Sequence, residues 1–365
     1  PTPLIGPHGR RLGTAPGPAW PARPSSCTTA CVVVPMPDPA VPRHPVFVVG
    51  MPRSGTTLLS RLLGAHPALV VAPETHYFTR CWDGAPIANA AAAQRMLDRL
   101  LRQPGVQDMA LTENETQRIR ERVRTAPSPT HADVLRALLD TYAARTGAPA
   151  WGDKTPDHLR VVPEMARQFP EAVVVAITRD PRDVCLSLRS MPWSRATLPE
   201  QAWTWRTYAR RTQKYRQAYG ERFHALRYED LLAAPEATLR DVCAFLGTSF
   251  APGMLGAPDR SPTQPFDAER EPWKAKSARQ IDPTNRGKWR TQMPEAERAI
   301  VEWIAGRWLG TYGYPHPPFA GRPALLAQVL RRLGTAALRW GRRTIHNLRV
   351  GHTLRDTAAP RWMKD

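Results

Sequence analysis

Cysteine is scarce in this chain of 365 residues: five are present, Cys27, Cys31, Cys81, Cys185 and Cys243. Their odd number and scattered spacing supply neither a disulfide framework nor a C-x-x-C zinc or redox pair, so the sequence predicts a reduced protein without a structural metal. Acidic residues are also few, 32 against 51 Lys and Arg, and the resulting net charge of +19 favours anionic partners. Residues 321–365 hold ten basic and two acidic groups, so much of the excess lies in a tail and the charge alone does not indicate nucleic-acid binding. No apolar run approaches the roughly 20 residues of a membrane span; "CVVVPM" and "AVVVAI" are too short. Proline interrupts the early segment where the apolar part of a signal peptide would stand. Together these absences predict a cytoplasmic protein.

Proline, by contrast, is plentiful, with 39 residues gathered toward the ends and loops. Residues 1–43 carry "PTPLIGPHGRRLGTAPGPAWPARP" and "PMPDPAVPRHP" without sustained periodicity and are predicted to be disordered. The sequence starts at Pro1, and Met36, shortly before the first strand, is a candidate start site. From His44 onward short apolar runs alternate with helical patterns. Helices are expected around 87–103, 113–124, 130–146, 200–219 and 235–246, and strands at Phe47–Val49, in "ALVVAPETHYF", in "AVVVAI" and in "FHALRYEDLL". The segment "WGDKTPDHLRVVPEMARQFP" reads as a turn carrying Lys154 followed by a helix. Such alternation predicts a single α/β domain over residues 44–320, with a central parallel sheet flanked by helices on both faces, followed by a basic tail.

The stretch "FVVGMPRSGTTLL", residues 47–59, reads as strand, tight turn and helix start. Gly50, Pro52 and Gly55 let the backbone wrap an anion, and the new helix points unpaired N–H groups at it. Nucleotide triphosphatases with this loop use G-x-x-x-x-G-K-[ST], but Thr56 stands here where the lysine would be. The only cation in the loop is Arg53. Ligands of open parallel sheets gather beyond the carboxyl ends of the strands. Arg53, Glu74, Lys154, Arg179 and Tyr228 all follow closely on strands or turns of this pattern and are expected to converge.

With "PRSGTT" followed by "RDPRDVCLSL", the chain resembles the sulfotransferases that use 3'-phosphoadenosine 5'-phosphosulfate (PAPS). The resemblance covers roughly residues 45–317 and implies a P-loop-like fold and transfer of a sulfuryl group to a hydroxyl, without a metal. It implies that Arg53, Ser54, Gly55, Thr56 and Thr57 hold the 5'-phosphosulfate, and that Arg179 and Ser187, spaced Arg-x7-Ser, grip the 3'-phosphate. "SGTTLLSRLLGAHPALVVAPETHYFTR" is similar to tyrosylprotein sulfotransferases, whose catalytic glutamate falls on Glu74. "DKTP" carries the family's catalytic lysine onto Lys154, and "RYEDLL" its nucleotide-contacting tyrosine onto Tyr228. "KSARQIDPTNRGKW" carries the catalytic serine onto Ser277 and the nucleotide-loop residues onto Asn285 and Lys288, with one residue fewer before Asn285.

The departures concern the acceptor. Of two arginines that hold acidic peptides in tyrosylprotein sulfotransferases, His76 replaces the first and Arg80 keeps the second. A further basic residue on the 3'-phosphate helix falls on Met191, with Arg189 or Arg195 as candidate substitutes. Glu74 is the expected base, His76 its nearest rival, and an extended course through 74–76 would turn both side chains the same way. Arg53, Lys154 and Ser277 are expected to stabilise the transferring group. The alternatives left by the residues alone are a P-loop kinase or NTPase, and a non-catalytic basic protein binding nucleic acid or membrane. Neither accounts for Arg179 and Ser187, and no nucleic-acid partner is expected. In the tail, Leu326, Leu330, Leu333, Ala337 and Trp340 share one helical face and Arg331, Arg332, Arg339, Arg342 and Arg343 another. That pattern suits either an anionic membrane surface or packing on the protein's own domain.

Overall fold

Five short strands set the architecture. They are β1 (Val46–Gly50), β2 (Leu69–Ala72), β3 (Ala150–Lys154), β4 (Val173–Thr178) and β5 (Phe223–Arg227), all parallel, in the spatial order β2-β3-β1-β4-β5. The computed structural model describes residues 44–256, 281–315 and Gly334. The expectations for residues 1–43, for Ser277 and for the tail from 321 lie outside them. Among the described residues no helix is long and apolar enough to cross a membrane.

Side chains alternate across a strand, and here both sets are apolar because helices cover both faces. Phe47, Val49, Val70, Ala72, Val174 and Ala176 pack into one core, and Val46, Val48, Leu69, Val71, Val173, Val175 and Ile177 into the other. Helices α1 (Thr56–Gly64), α2 (Ala90–Leu101), α3 (Pro104–Gln107), α4 (Glu113–Thr125), α5 (His131–Thr146), α6 (Val162–Gln168), α7 (Pro181–Arg189) and α8 (Leu198–Tyr219) follow in chain order. After β5 come α9 (Tyr228–Ala233), α10 (Pro235–Leu246), α11 (Trp289–Gln292), α12 (Glu295–Ala305) and α13 (Trp308–Thr311). Leu135, Leu138 and Leu139 of α5 and Trp205 of α8 fill the first core, while Leu59 and Leu63 of α1 and Leu239 and Val242 of α10 fill the second.

One expectation is corrected. Residues 150–154 form the strand β3, hydrogen-bonded between β2 and β1, rather than a turn. The sequence Ala-Trp-Gly-Asp-Lys has little strand character. It is buried throughout because its two charged side chains find partners inside the protein.

Candidate active site

Each strand delivers one residue of the expected site, and the strand order lines them up. Glu74 follows β2, Lys154 ends β3, Arg53 follows β1, Arg179 follows β4 and Tyr228 follows β5. The order in space is therefore Glu74, Lys154, Arg53, Arg179, Tyr228, although Lys154 is third along the chain.

The loop after β1 is built around its conformation. Arg53 holds φ 73° and Gly55 φ 97°, so the chain turns left-handed twice within three residues. Gly55 is obligatory for a second reason: a Cβ there would collide with the Tyr228 ring. Helix α1 starts directly after it with no side-chain cap, leaving its first N–H groups for an anion. Ser54 is fully buried and its Oγ has no hydrogen-bond partner.

On one side of the loop Lys154 Nζ donates to Glu74 Oε1 at 2.7 Å, and His76 Nε2 lies 3.3 Å from Glu74 Oε2. The Lys154 side chain is only 2% exposed and that of Glu74 24%. Residues 74–76 are not extended, since His76 has φ 51°. Glu74 and His76 meet nonetheless, because the left-handed residue folds the imidazole back over the carboxylate. Beneath them lies a polar core: Asp153, fully buried, accepts from Thr75 Oγ1 at 2.6 Å and Thr155 Oγ1 at 2.8 Å. His158 Nδ1 lies 3.5 Å from the same carboxylate. Thr155 Oγ1 in turn accepts from the His76 amide, and His158 Nε2 from the Phe78 amide. Burial raises Asp153 to about 6 against the lowering effect of its hydroxyl donors, and burial pushes His158 down to about 3.

On the other side, Arg53 Nε donates to Ser187 Oγ at 2.9 Å, tying the loop to α7. Arg179 donates to the Arg53 carbonyl at 3.3 Å and to the Asn285 carbonyl at 2.9 Å, while its Nε is buried without a partner. Its guanidinium lies 4.6 Å from the centre of the Tyr228 ring, and Asn285 Nδ2 donates to the Tyr228 hydroxyl at 2.9 Å. Asp183 fixes the 285–289 segment by accepting from the Gly287 and Trp289 amides at 2.6 and 3.0 Å. Burial lowers the pKa of Arg53, and repulsion from Arg179 lowers it further. Two guanidiniums held this close favour an anion between them.

Three chambers open along this edge. A cavity of about 340 Å³ is lined by Arg53, Thr56, Thr57, Arg179, Ser187, Tyr228, Asn285 and Lys288, which gathers most of the expected nucleotide residues. A second, of about 460 Å³, shares Arg53, Thr56 and Thr57 with it and is walled by Glu74, His76, Arg80, Gly105 and Trp193. A third, of about 430 Å³, shares Pro52, Asp157 and Trp193 with the second.

The proposed substitutes for a basic residue at Met191 are not in place. Met191 lines the first cavity, but Arg189 is ion-paired with Glu297 and Arg195 opens into the third chamber. Sequence reasoning also missed Asp153, Thr75, Thr155 and Asp183. The only signal was adjacency, since Thr75 and Thr155 each follow an expected catalytic residue and Asp153 precedes one.

Residues 45–252 match the model of the sulfotransferase family. The structure is similar to the sulfotransferase domain of the olefin synthase of Synechococcus PCC 7002, with 25% identity and a TM-score of 0.52 over 77% of this chain and 98% of that one. It shares its fold with the sulfotransferase domain from the curacin biosynthetic pathway, at 20% identity and a TM-score of 0.53, covering 76% and 100% of the two chains. The nodulation protein NoeE of Sinorhizobium fredii is 29% identical over 154 residues, 40% of this chain. An uncharacterized protein of Aquifex aeolicus is 29% identical over 145 residues. The chain spans only 30% and 17% of the lengths of these two curated relatives.

Proposed function

Because the chain belongs to the sulfotransferase family, we propose that it moves the sulfuryl group of PAPS to a hydroxyl, with the first cavity holding the nucleotide and the second the acceptor. The observation that carries this reading is the pair of cavities meeting at Arg53, with Arg179 and Lys288 in the wall of one and Glu74 in the wall of the other. The residues present suit an anionic nucleotide: Ser54 Oγ and Arg179 Nε are buried with no partner, and α1 begins uncapped. Arg179, Ser187 and Lys288 would hold the 3'-phosphate, Tyr228 and Asn285 the adenosine, and the 53–57 loop the 5'-phosphosulfate. A Walker lysine has no task here, since PAPS has no γ-phosphate.

In this reading Glu74 takes the proton of the acceptor hydroxyl. A bond forms between the acceptor oxygen and sulfur as the bond from sulfur to the bridging oxygen breaks, and the electron pair leaves with 3'-phosphoadenosine 5'-phosphate (PAP). Lys154 anchors one carboxylate oxygen of Glu74 and His76 faces the other at 3.3 Å, at the wall of the acceptor chamber. Arg53 and Lys154 supply positive charge where negative charge develops, which is the demand common to sulfuryl and phosphoryl transfer. Ser277 would add a hydrogen bond to the same group.

Calorimetry with PAP and AMP tests the donor assignment. Charge-assisted contacts to the 3'-phosphate are worth about 1.5–3 kcal/mol each, so PAP should bind at least about 100-fold more tightly than AMP. Arg179→Ala should remove most of that preference. Equal affinity of the wild-type protein for the two nucleotides would refute the assignment. A loss shared equally by both nucleotides in the variant would show that Arg179 merely supports the 285–289 segment.

A further inference from the structure

The third chamber has no part in the proposed chemistry, yet it continues the acceptor chamber. The two share Pro52, Asp157 and Trp193, and Trp193 stands at the junction, 46% exposed, one of two exposed large hydrophobic side chains among the described residues. Met51, Leu188, Trp193 and Ala196 give the third chamber an apolar wall, and Arg160, Arg195 and Arg211 bring three guanidiniums to it. Its two carboxylates each accept hydrogen bonds from neutral groups of the protein. Asp157 accepts from the Tyr208 hydroxyl, and Glu200 Oε2 accepts from the amide and hydroxyl of Thr197 at 2.7 and 2.9 Å, capping α8. Among the described residues no carboxylate lies within ion-pair distance of Arg160 or Arg195. An apolar wall beside Arg160 and Arg195, neither of which is ion-paired among the described residues, suits a ligand with an apolar body and an anionic end.

Building on the sulfotransferase reading, we propose that the acceptor is an elongated amphiphile: its hydroxyl lies at Glu74, its apolar body passes Trp193, and its anionic end, a carboxylate or phosphate, lies among Arg160, Arg195 and Arg211. The exposed Trp193 is then the floor of a continuous channel, because an apolar ligand body covers it. The anionic end fixes how far the ligand enters and thereby sets which hydroxyl meets the base.

The test uses the full chain and defined probes. 12-Hydroxydodecanoate, its methyl ester and 12-hydroxydodecyl phosphate are titrated by calorimetry, with and without saturating PAP, into the wild type and the Arg160→Ala/Arg195→Ala double variant. The expected result is binding of the carboxylate at least 10-fold tighter than the ester, falling to less than 3-fold in the double variant, with PAP affinity unchanged. A phosphate probe bound tighter than the carboxylate identifies the anionic end as a phosphate; the reverse order identifies a carboxylate. Equal binding of acid and ester to the wild type, or a preference untouched by the double substitution, overturns the proposal. PAP binding is read in the same titrations, so a donor site that fails is distinguished from an acceptor channel that fails. Trp193→Ala, placed away from the base, should weaken acid and ester alike; no effect on either would remove the channel through Trp193.

Discussion

Replacing Asp153 by Asn separates the electrostatics of the site's foundation from its shape. The carboxylate is fully buried and held by two threonine hydroxyls, and burial raises its pKa from the ordinary 3.8 to about 6. A raised acid is protonated in the folded protein before the unfolded one. Its contribution to stability is therefore complete below pH 3.8 and is lost as pH rises through 6. With each pKa unit worth about 1.4 kcal/mol, the full displacement is about 3 kcal/mol, of which about 1.4 kcal/mol falls between pH 5 and 7.5. Asn keeps the shape and does not titrate. His158, pushed down to about 3 by burial, is neutral across this window in both proteins and cancels from their difference. Thermal melts of the full chain and of Asp153→Asn at several pH values should show the variant's relative stability improving by about 2–3 °C from pH 5 to 7.5. Parallel curves for the two proteins would refute the reasoning, because Asp153 would then ionise as though exposed.

Glu74→Gln should lower turnover by about two to four orders of magnitude with PAP affinity nearly intact, since a base acts in the transition state. His76→Ala should cost much less and act chiefly on acceptor KM; the reverse ranking in steady-state kinetics would move the base to His76. Gly55→Ala places a Cβ against Tyr228 at φ 97°. Backbone strain of about 1–3 kcal/mol should lower the Tm, and PAP binding should weaken at least 10-fold by calorimetry; wild-type affinity would show that the loop tolerates another course.

Much of this protein is legible along the chain because the evidence is local. The apolar strands at 46–50, 69–72 and 173–178, the glycines of the 50–55 turn and the spacing of Arg179 to Ser187 depend on neighbours within a few positions. They sufficed for the fold class and for the family. What failed depended on distant partners. β3 escaped notice because a strand containing Asp153 and Lys154 is buried only when Thr75, 78 residues away, and Glu74, 80 residues away, neutralise and satisfy its polar groups. For the same reason no pattern suggested Asp153 as the support of both Glu74 and Lys154. Residue types and spacings thus determined which groups are candidates for holding a nucleotide and taking a proton. Only the tertiary structure decided their arrangement. Inserting β3 between β2 and β1 sets Lys154 between Glu74 and Arg53, and no local preference of the chain encodes that order, because parallel strands pair through crossovers whose geometry belongs to the whole sheet.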